Sequence, residues 1–286
     1  ITALPDANKS TQNFGNKSVL EEVVLPETIT LIKNESFSGY TVLRFIIIPD
    51  SVITIGAYSF ENCTSLHTIS SKAETVQGSA FNKCSSLEEV YLPNCKNMTG
   101  GNNKWHFNGC TNLSKVVLSE DIETIPQECF YGCNNLTDIS SLDNVKVIGL
   151  QAFVGCTKIT RFINLSLPSL TSINEKSIID CTQITKVENL GNVTSLPYRA
   201  FWRCGNISKV VIPSTVTTIS GGAFEGSIIS TYILHPIAPP AITTFSGVLS
   251  TCIFYVPDAS VEAYKTASGW SNYASRIKPL SEYVES

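Results

Sequence analysis

The sequence predicts an α/β repeat solenoid, a chain wound coil upon coil with a short parallel strand in each turn. Three observations predict it. A phenylalanine returns at intervals of 21 to 26 residues, several further columns keep register with it, and one interval holds too few apolar groups to make a core alone. The stretches SFENCTSLHTI (residues 59–69) and CFYGCNNLTDI (residues 129–139) show the repetition directly. The anchor column is Phe14, Phe37, Phe60, Phe81, Phe107, Phe130, Phe153, Ile178, Phe201 and Phe224, at steps of 23, 23, 21, 26, 23, 23, 25, 23 and 23.

Residues 1–13 read as an N-terminal lead-in and 14–234 as an array of about ten repeats. Three positions after the anchor stand Cys63, Cys84, Cys110, Cys133, Cys156, Cys181 and Cys204; six after it, Leu or Ile from Leu20 to Ile207. Nine after it come Val23, Ile46, Ile69, Val90, Val116, Ile139, Phe162, Val187, Val210 and Ile233. Five before it is usually Ile or Val, as at Ile55 and Ile125, and one before it a small residue, as at Ala80 and Ala152. Stacking such coils buries each column against its copies. LSKVVL (residues 113–118) is then the strand, and stretches such as SVITIGAYSF return the chain on the other side. The end coils depart from the pattern with Lys17, Tyr40 and Ser227 at the cysteine position, as terminal coils facing solvent should.

After Leu234 the composition changes to HPIAPPAITT, then an apolar strand CIFYV, then a helix predicted from Asp258 as its N-cap. Residues 235–286 read as a cap whose Phe254, Val261, Tyr264 and Trp270 cover the last coil; a small binding module is the alternative.

Composition narrows the function classes. A hydrophobic fraction of 43% is ample for a core, and a charged fraction of 15% leaves a surface of neutral polar side chains. A net charge of −4 argues against nucleic acid or anionic membrane as partner. No apolar run approaches the roughly 18 residues that span a bilayer. The stretch begins ITALPDANKS, with no Met and no leader, so any export signal is expected to be removed or to lie outside it.

The motif VVIPSTVTTISGGAFEGS (residues 210–227) and IIPDSVITIGAYSFENCTSLHTI resemble the BspA-like, treponemal-type leucine-rich repeats of bacterial cell-surface proteins, also abundant in some parasitic protists. The resemblance covers residues 14–234, and the tail IFYVPDASVEAYKTASGWSNYASRIKPL resembles the closure of such arrays in gut Bacteroidetes. It implies a right-handed leucine-rich-repeat coil with one short parallel strand per repeat of ~23 residues and a small α/β C-terminal cap. It further implies an exported, surface-attached protein whose relatives are associated with adhesion to host or microbial partners; a monomer is expected, with a lipid anchor in the outer membrane as one mode of attachment. It implies no catalytic site.

Ten cysteines in an exported chain would suggest disulfides. The columns predict instead free, buried thiols, with Cys129 in the small-residue column and only Cys95 and Cys252 outside the repeat; isolated disulfides are the alternative, since neighbouring ladder positions about 4.8 Å apart fall within the Cα range of a bridge. His67, His106 and His235 fall on separate coils and read as surface residues, and the Cys129, Cys133 pair is accounted for by two columns. No metal, cofactor or catalytic constellation is expected. Sequons at Asn62, Asn112, Asn135 and Asn206 fit the turn after the anchor, where Asn and Ser/Thr are favoured.

Function must then come from faces. Residues eight and ten after each anchor point outward by the period of two. The ten-after row includes Ile47, Tyr91, Val117, Ile163, Val211 and Leu234, largely apolar; the eight-after row carries Lys115, Arg161, Lys186 and Lys209, interrupted by Asp138. Together they predict a concave surface suited to an extracellular or host protein. Strand propensity alone is the other explanation of those Val and Ile residues. A second candidate is the 26-residue step, where Asn102 replaces the usual Ile and a loop with Lys104 and Trp105 is expected to project; Tyr131 and Trp202, one after their anchors, also fall outside the core. Exposed aromatics would serve sugar stacking as well as a protein contact. Surface protein binding, glycan capture and a spacer with no ligand are the three readings.

Overall fold

In the computed structural model, residues 16–98, 104–140, 142–243, 245 and 248–285 are described; the lead-in 1–13, Phe14, Asn102 and the side chain of Arg161 lie outside the described residues. The fold is a parallel-strand solenoid. It divides into two compact units, Ile1–Leu142 with Ala152–Ile159, and Asp143–Gln151 with Thr160–Ser286.

The first unit carries the repeat in its regular form. Strands Glu22–Val24 and Phe45–Ile47 pair in parallel, and so do Thr68–Ser70, Glu89–Leu92, Lys115–Leu118 and Asp138–Ile139 in succession. Each alternates outward and buried positions, so the nine-after residue enters the core while eight-after and ten-after face out. The returning segments form a second ladder, Leu31–Ile32 on Thr54–Ile55 on Thr75–Val76.

Between the ladders the anchors stack face to face: Phe37 on Phe60 at 5.2 Å, then Phe81 at 5.4 Å, Phe107 at 5.4 Å, Phe130 at 5.5 Å and Phe153 at 5.3 Å. That spacing is close to the strand separation of about 4.8 Å, which lets one ring per coil fill one layer of core.

The cysteine column has a hydrogen-bonding reason that its apolar character hides. The Cys63, Cys84 and Cys110 thiols donate to the carbonyls of Phe37, Phe60 and Phe81 at 3.0, 3.0 and 3.1 Å, each reaching the anchor of the coil before. Cys133 and Cys156 repeat the contact to Phe107 and Phe130 at 3.1 and 3.3 Å. Cysteine is small enough for the layer and still offers a donor.

The turn around each anchor uses two left-handed residues. Two before it, Glu35, Tyr58, Ser79, Trp105 and Glu128 have φ between 51° and 63°; two after it, Asn62 and Lys83 share that region with Gly39, Gly109, Gly132 and Gly155. This double reversal aims the anchor N–H at the next coil, as in Phe37 N–H to Ser59 O at 2.7 Å.

The second unit holds a six-stranded parallel sheet of Asn164–Ser166, Lys186–Asn189, Lys209–Ile212, Ile229–Leu234, Val248–Val256 and Ile277–Pro279. Its repeat runs out of register with the sequence columns in two places. In the 25-residue step, extra residues wind into a 3-10 turn, Thr160–Phe162, before the strand begins. Leu165, not Phe162, therefore pairs with Val187. In the last repeat Tyr232, not Ile233, pairs with Val210, one residue earlier than the column predicts.

The closing segment buries its own large side chains. Phe254, Tyr264 and Trp270 are fully buried, the Tyr264 hydroxyl donating to Pro236 O at 2.9 Å and the Trp270 indole to Pro240 O at 2.7 Å. Val261, expected beside them, is only half-buried. Asp258 is not the helix cap. It opens a 3-10 turn, Asp258–Ser260, and Ser260 precedes the helix Val261–Thr266 without a side-chain cap bond. Asp258 Oδ1 instead accepts the Ser281 N–H at 3.0 Å, and hydrogen bonding from the Ser281 side chain first, then from its backbone, lowers the Asp258 pKa.

Candidate functional site

Within the first unit the strand register places Val24 beside Ile47, and Ser70 beside Tyr91 beside Val117. Ile47 is 62% exposed and Tyr91 52%, while Val117 is half-buried. Lys115 is exposed in the adjoining row, between Glu89 and Asp138 in the pairing, so the charges there alternate in sign. The row also holds a residue that the search for basic positions passed over: Phe45, 48% exposed, with its ring stacked on His67 at 5.7 Å. Its signal was its place eight after Phe37.

At the strand exits of this unit lies a hollow of about 610 Å³ lined by Glu74, Lys96, Val117, Glu120, Asp121 and Ser140 among others. Lys96 and Glu74 pair across it at 3.2 Å. Its polar wall adjoins the Tyr91, Val117 row.

The second unit alters the predicted set. Arg161 belongs to the 3-10 turn and Ile163, though 42% exposed, precedes the strand, so Asn164 takes the place beside Lys186. Lys186 and Lys209 do stand side by side, both half-buried. Val211 is half-buried beside Ile233, and Leu234 is buried rather than outward because the register of the last strand is shifted. A basic row therefore reduces, among the described side chains of this unit, to Lys186 and Lys209. Lys209 is itself engaged, donating to Glu285 Oε1 at 3.1 Å with Glu188 at 3.9 Å.

The aromatic candidates occupy turn positions. Lys104 bridges in parallel to Gln127, and Trp105 takes the ordinary left-handed position two before its anchor, so neither belongs to a projecting loop; residues 99–103, within the long step, lie outside the described ones. The Trp105 indole donates to Glu128 Oε2 at 2.7 Å and the Lys104 ammonium stands 4.3 Å from a Trp105 ring centroid. Tyr131 is 38% exposed. In the second unit Trp202 is half-buried with Arg199 and Arg203 over its ring at 4.4 and 5.2 Å. A sugar stacking on Trp202 would compete with two guanidinium groups.

All ten cysteines are free and buried. Burial pushes the thiols of Cys63, Cys95, Cys110, Cys204 and Cys252 up to about 12, so they are protonated and unreactive at neutral pH. His106 is not a surface residue. It fills the small-residue column, fully buried, with no full hydrogen bond at either ring nitrogen. Burial lowers its pKa to about 4, against a small opposing effect from the nearby Val76 backbone. Among the described residues no group of three His, Cys, Asp or Glu side chains could hold a metal ion.

The sequence matches the family described as BspA type leucine rich repeat region, in six copies, over residues 10–104 and 102–230. Among solved structures, a leucine rich cell surface protein from Faecalibacterium prausnitzii has a TM-score of 0.56 at 18% identity, covering 91% of this chain and 86% of that one. That likeness shows the fold. A Treponema pallidum leucine rich repeat protein is 27% identical over 49% of this chain, with a TM-score of 0.43, and this chain covers 65% of its length. A leucine-rich repeat protein from Bacteroides ovatus is 17% identical, covering 91% of this chain and 82% of that one, with a TM-score of 0.46. No curated protein matches significantly.

Proposed function

The chain belongs to the BspA-type leucine rich repeat family, and from that premise we propose that it is a non-catalytic, exported surface protein that binds an extracellular protein, in the manner of an adhesin, through the strand face of its repeats. The observation that carries this reading is the outward row of the first unit. Ile47 and Tyr91, with Phe45 on the same strand as Ile47, expose large apolar side chains on paired strands, in a row where Ser70 shows that a polar residue also fits. Such side chains on a regular surface are the anchors that protein partners bury. The name of the Faecalibacterium protein, a cell surface protein, supports the location. No helix of the described residues is long and apolar enough to cross a membrane.

The glycan alternative rests on Tyr131, whose ring is exposed at a turn. Trp105 and Trp202 support it less, since cations already stand over both rings. The test is a binding screen of the chain against extracellular-matrix proteins and polysaccharides, beside Ile47→Glu/Tyr91→Ala. The expected result is a protein ligand whose affinity falls by about tenfold or more in the variant, the loss of a hot-spot anchor. A polysaccharide hit that ignores this variant and is lost in Tyr131→Ala would replace the protein reading with the glycan one.

A further inference from the structure

In the second unit the strand face is already occupied, and its occupant is the chain itself. One outward row runs Lys186, Lys209, Thr231 and Ile253, and the next runs Val211, Ile233, Tyr255 and Lys278. After the strand Ile277–Pro279 and the 3-10 turn Leu280–Glu282, the chain doubles back over these rows. The Tyr283 ring meets the Tyr255 ring edge-on at 5.1 Å. The Lys209 ammonium lies 5.7 Å from the Tyr283 ring centroid and donates to Glu285 Oε1 at 3.1 Å. Tyr255 and Lys209 stand two strands apart, about 10 Å at the usual spacing. Between them Ile233 is only 7% exposed although the alternation turns it outward.

We propose that Tyr283–Glu285 is a strap that occupies the strand face at Lys209, and that this stretch of face takes an extended peptide presenting an aromatic side chain next to an acidic one, which displaces the strap. The partner chemistry rests on the strand-face reading given above. The contacts define it: the Tyr255 ring meets another ring edge to face, and the Lys209 ammonium donates to a carboxylate while standing over a ring. Lys186, next in the row, supplies a second cation for a partner with further acidic residues. The strap is also held weakly enough to leave. The Glu285 side chain is 74% exposed, and an ion pair so open to solvent contributes little. When it departs, Lys209 keeps Glu188 at 3.9 Å, so no charge is stranded.

The experiment uses the full chain and its Tyr283→Ala/Glu285→Ala variant, which is altered only at the strap. Acetylation of lysines by an N-hydroxysuccinimide ester, read by peptide mass, should show Lys209 modified several-fold faster in the variant, with Lys265 unchanged as the internal reference. Equal rates at Lys209 would overturn the strap. In parallel, a fluorescein-labelled peptide of sequence LSEYVES, the chain's own residues 280–286, is titrated against both proteins by anisotropy. It should bind the variant at least about tenfold tighter than the parent chain, and adding Lys209→Glu should abolish that gain. Faster acetylation without peptide binding would keep the strap and overturn the partner chemistry assigned to this stretch of face, whereas the strand-face reading itself stands or falls on the Ile47→Glu/Tyr91→Ala screen.

Discussion

Replacing His106 by alanine should flatten the acid side of the stability curve. The imidazole is fully buried in a column that elsewhere holds small residues such as Ala80 and Ala152. Burial lowers its pKa from 6.5 to about 4 in the folded chain. The unfolded chain therefore binds the proton more tightly. The stability that the neutral ring permits is fully present above about pH 6.5 and is lost as pH falls toward 4. At about 1.4 kcal/mol per unit, the full shift is worth about 3 kcal/mol, of which about 2 kcal/mol is already lost at pH 5. Urea unfolding at pH 8 and pH 5 reads the effect in both proteins. The two proteins differ only at residue 106, so the difference of differences isolates His106. The native chain should lose about 2 kcal/mol more than His106→Ala between the two pH values. Equal losses would refute the burial argument, because a ring with access to water or to a proton acceptor would not carry the shift.

Other substitutions probe the repeat itself. Gly132 has φ 74° and a Cβ added there would meet nothing nearer than Gly109 at 3.9 Å, so Gly132→Ala should cost about 1–2 kcal/mol from backbone strain alone, measured by thermal or urea unfolding. Cys110→Ala leaves the Phe81 carbonyl without its thiol donor and should cost about 1–2 kcal/mol in the same assay. A thiol reagent should modify none of the ten cysteines in the native protein and all ten after unfolding in denaturant; missing thiols in the unfolded sample would mean disulfides, against the free ladder.

The core was legible because the repeat puts the same residue type into the same environment many times over. Phe60, Phe81 and Phe107 could be assigned to one stack from spacing alone, since each coil advances the chain by one strand separation. Legibility failed where the step departs from 23. A column counted forward from Phe153 lands on Phe162, but the additional residues are absorbed in a turn before the strand, which removes Arg161 and Ile163 from the outward rows. A shift of one residue at the last repeat, in the opposite direction, turns Leu234 inward where the column had it outward.

Other features lie beyond any column. His106 was read as a surface histidine because the three histidines fall on separate coils, and only the packed coils show it sealed in a small-residue position. The engagement of Lys209 depends on Tyr283 and Glu285, 74 and 76 positions away, which no local period connects. The cysteine-to-carbonyl ladder needs the coil stacking before the donor and acceptor can be matched, although the regularity of the column was its trace in the sequence.

The central claim, that the chain meets its partner with the strand face, is tested most directly by hydroxyl-radical footprinting of the chain with and without a bound ligand from the screen. Protection concentrated at Phe45, Ile47 and Tyr91 is the predicted result, since these side chains are large, reactive and exposed in the unbound chain. Protection confined to Trp105 and Tyr131, with the strand row unchanged, would contradict it and place the contact on the turns instead.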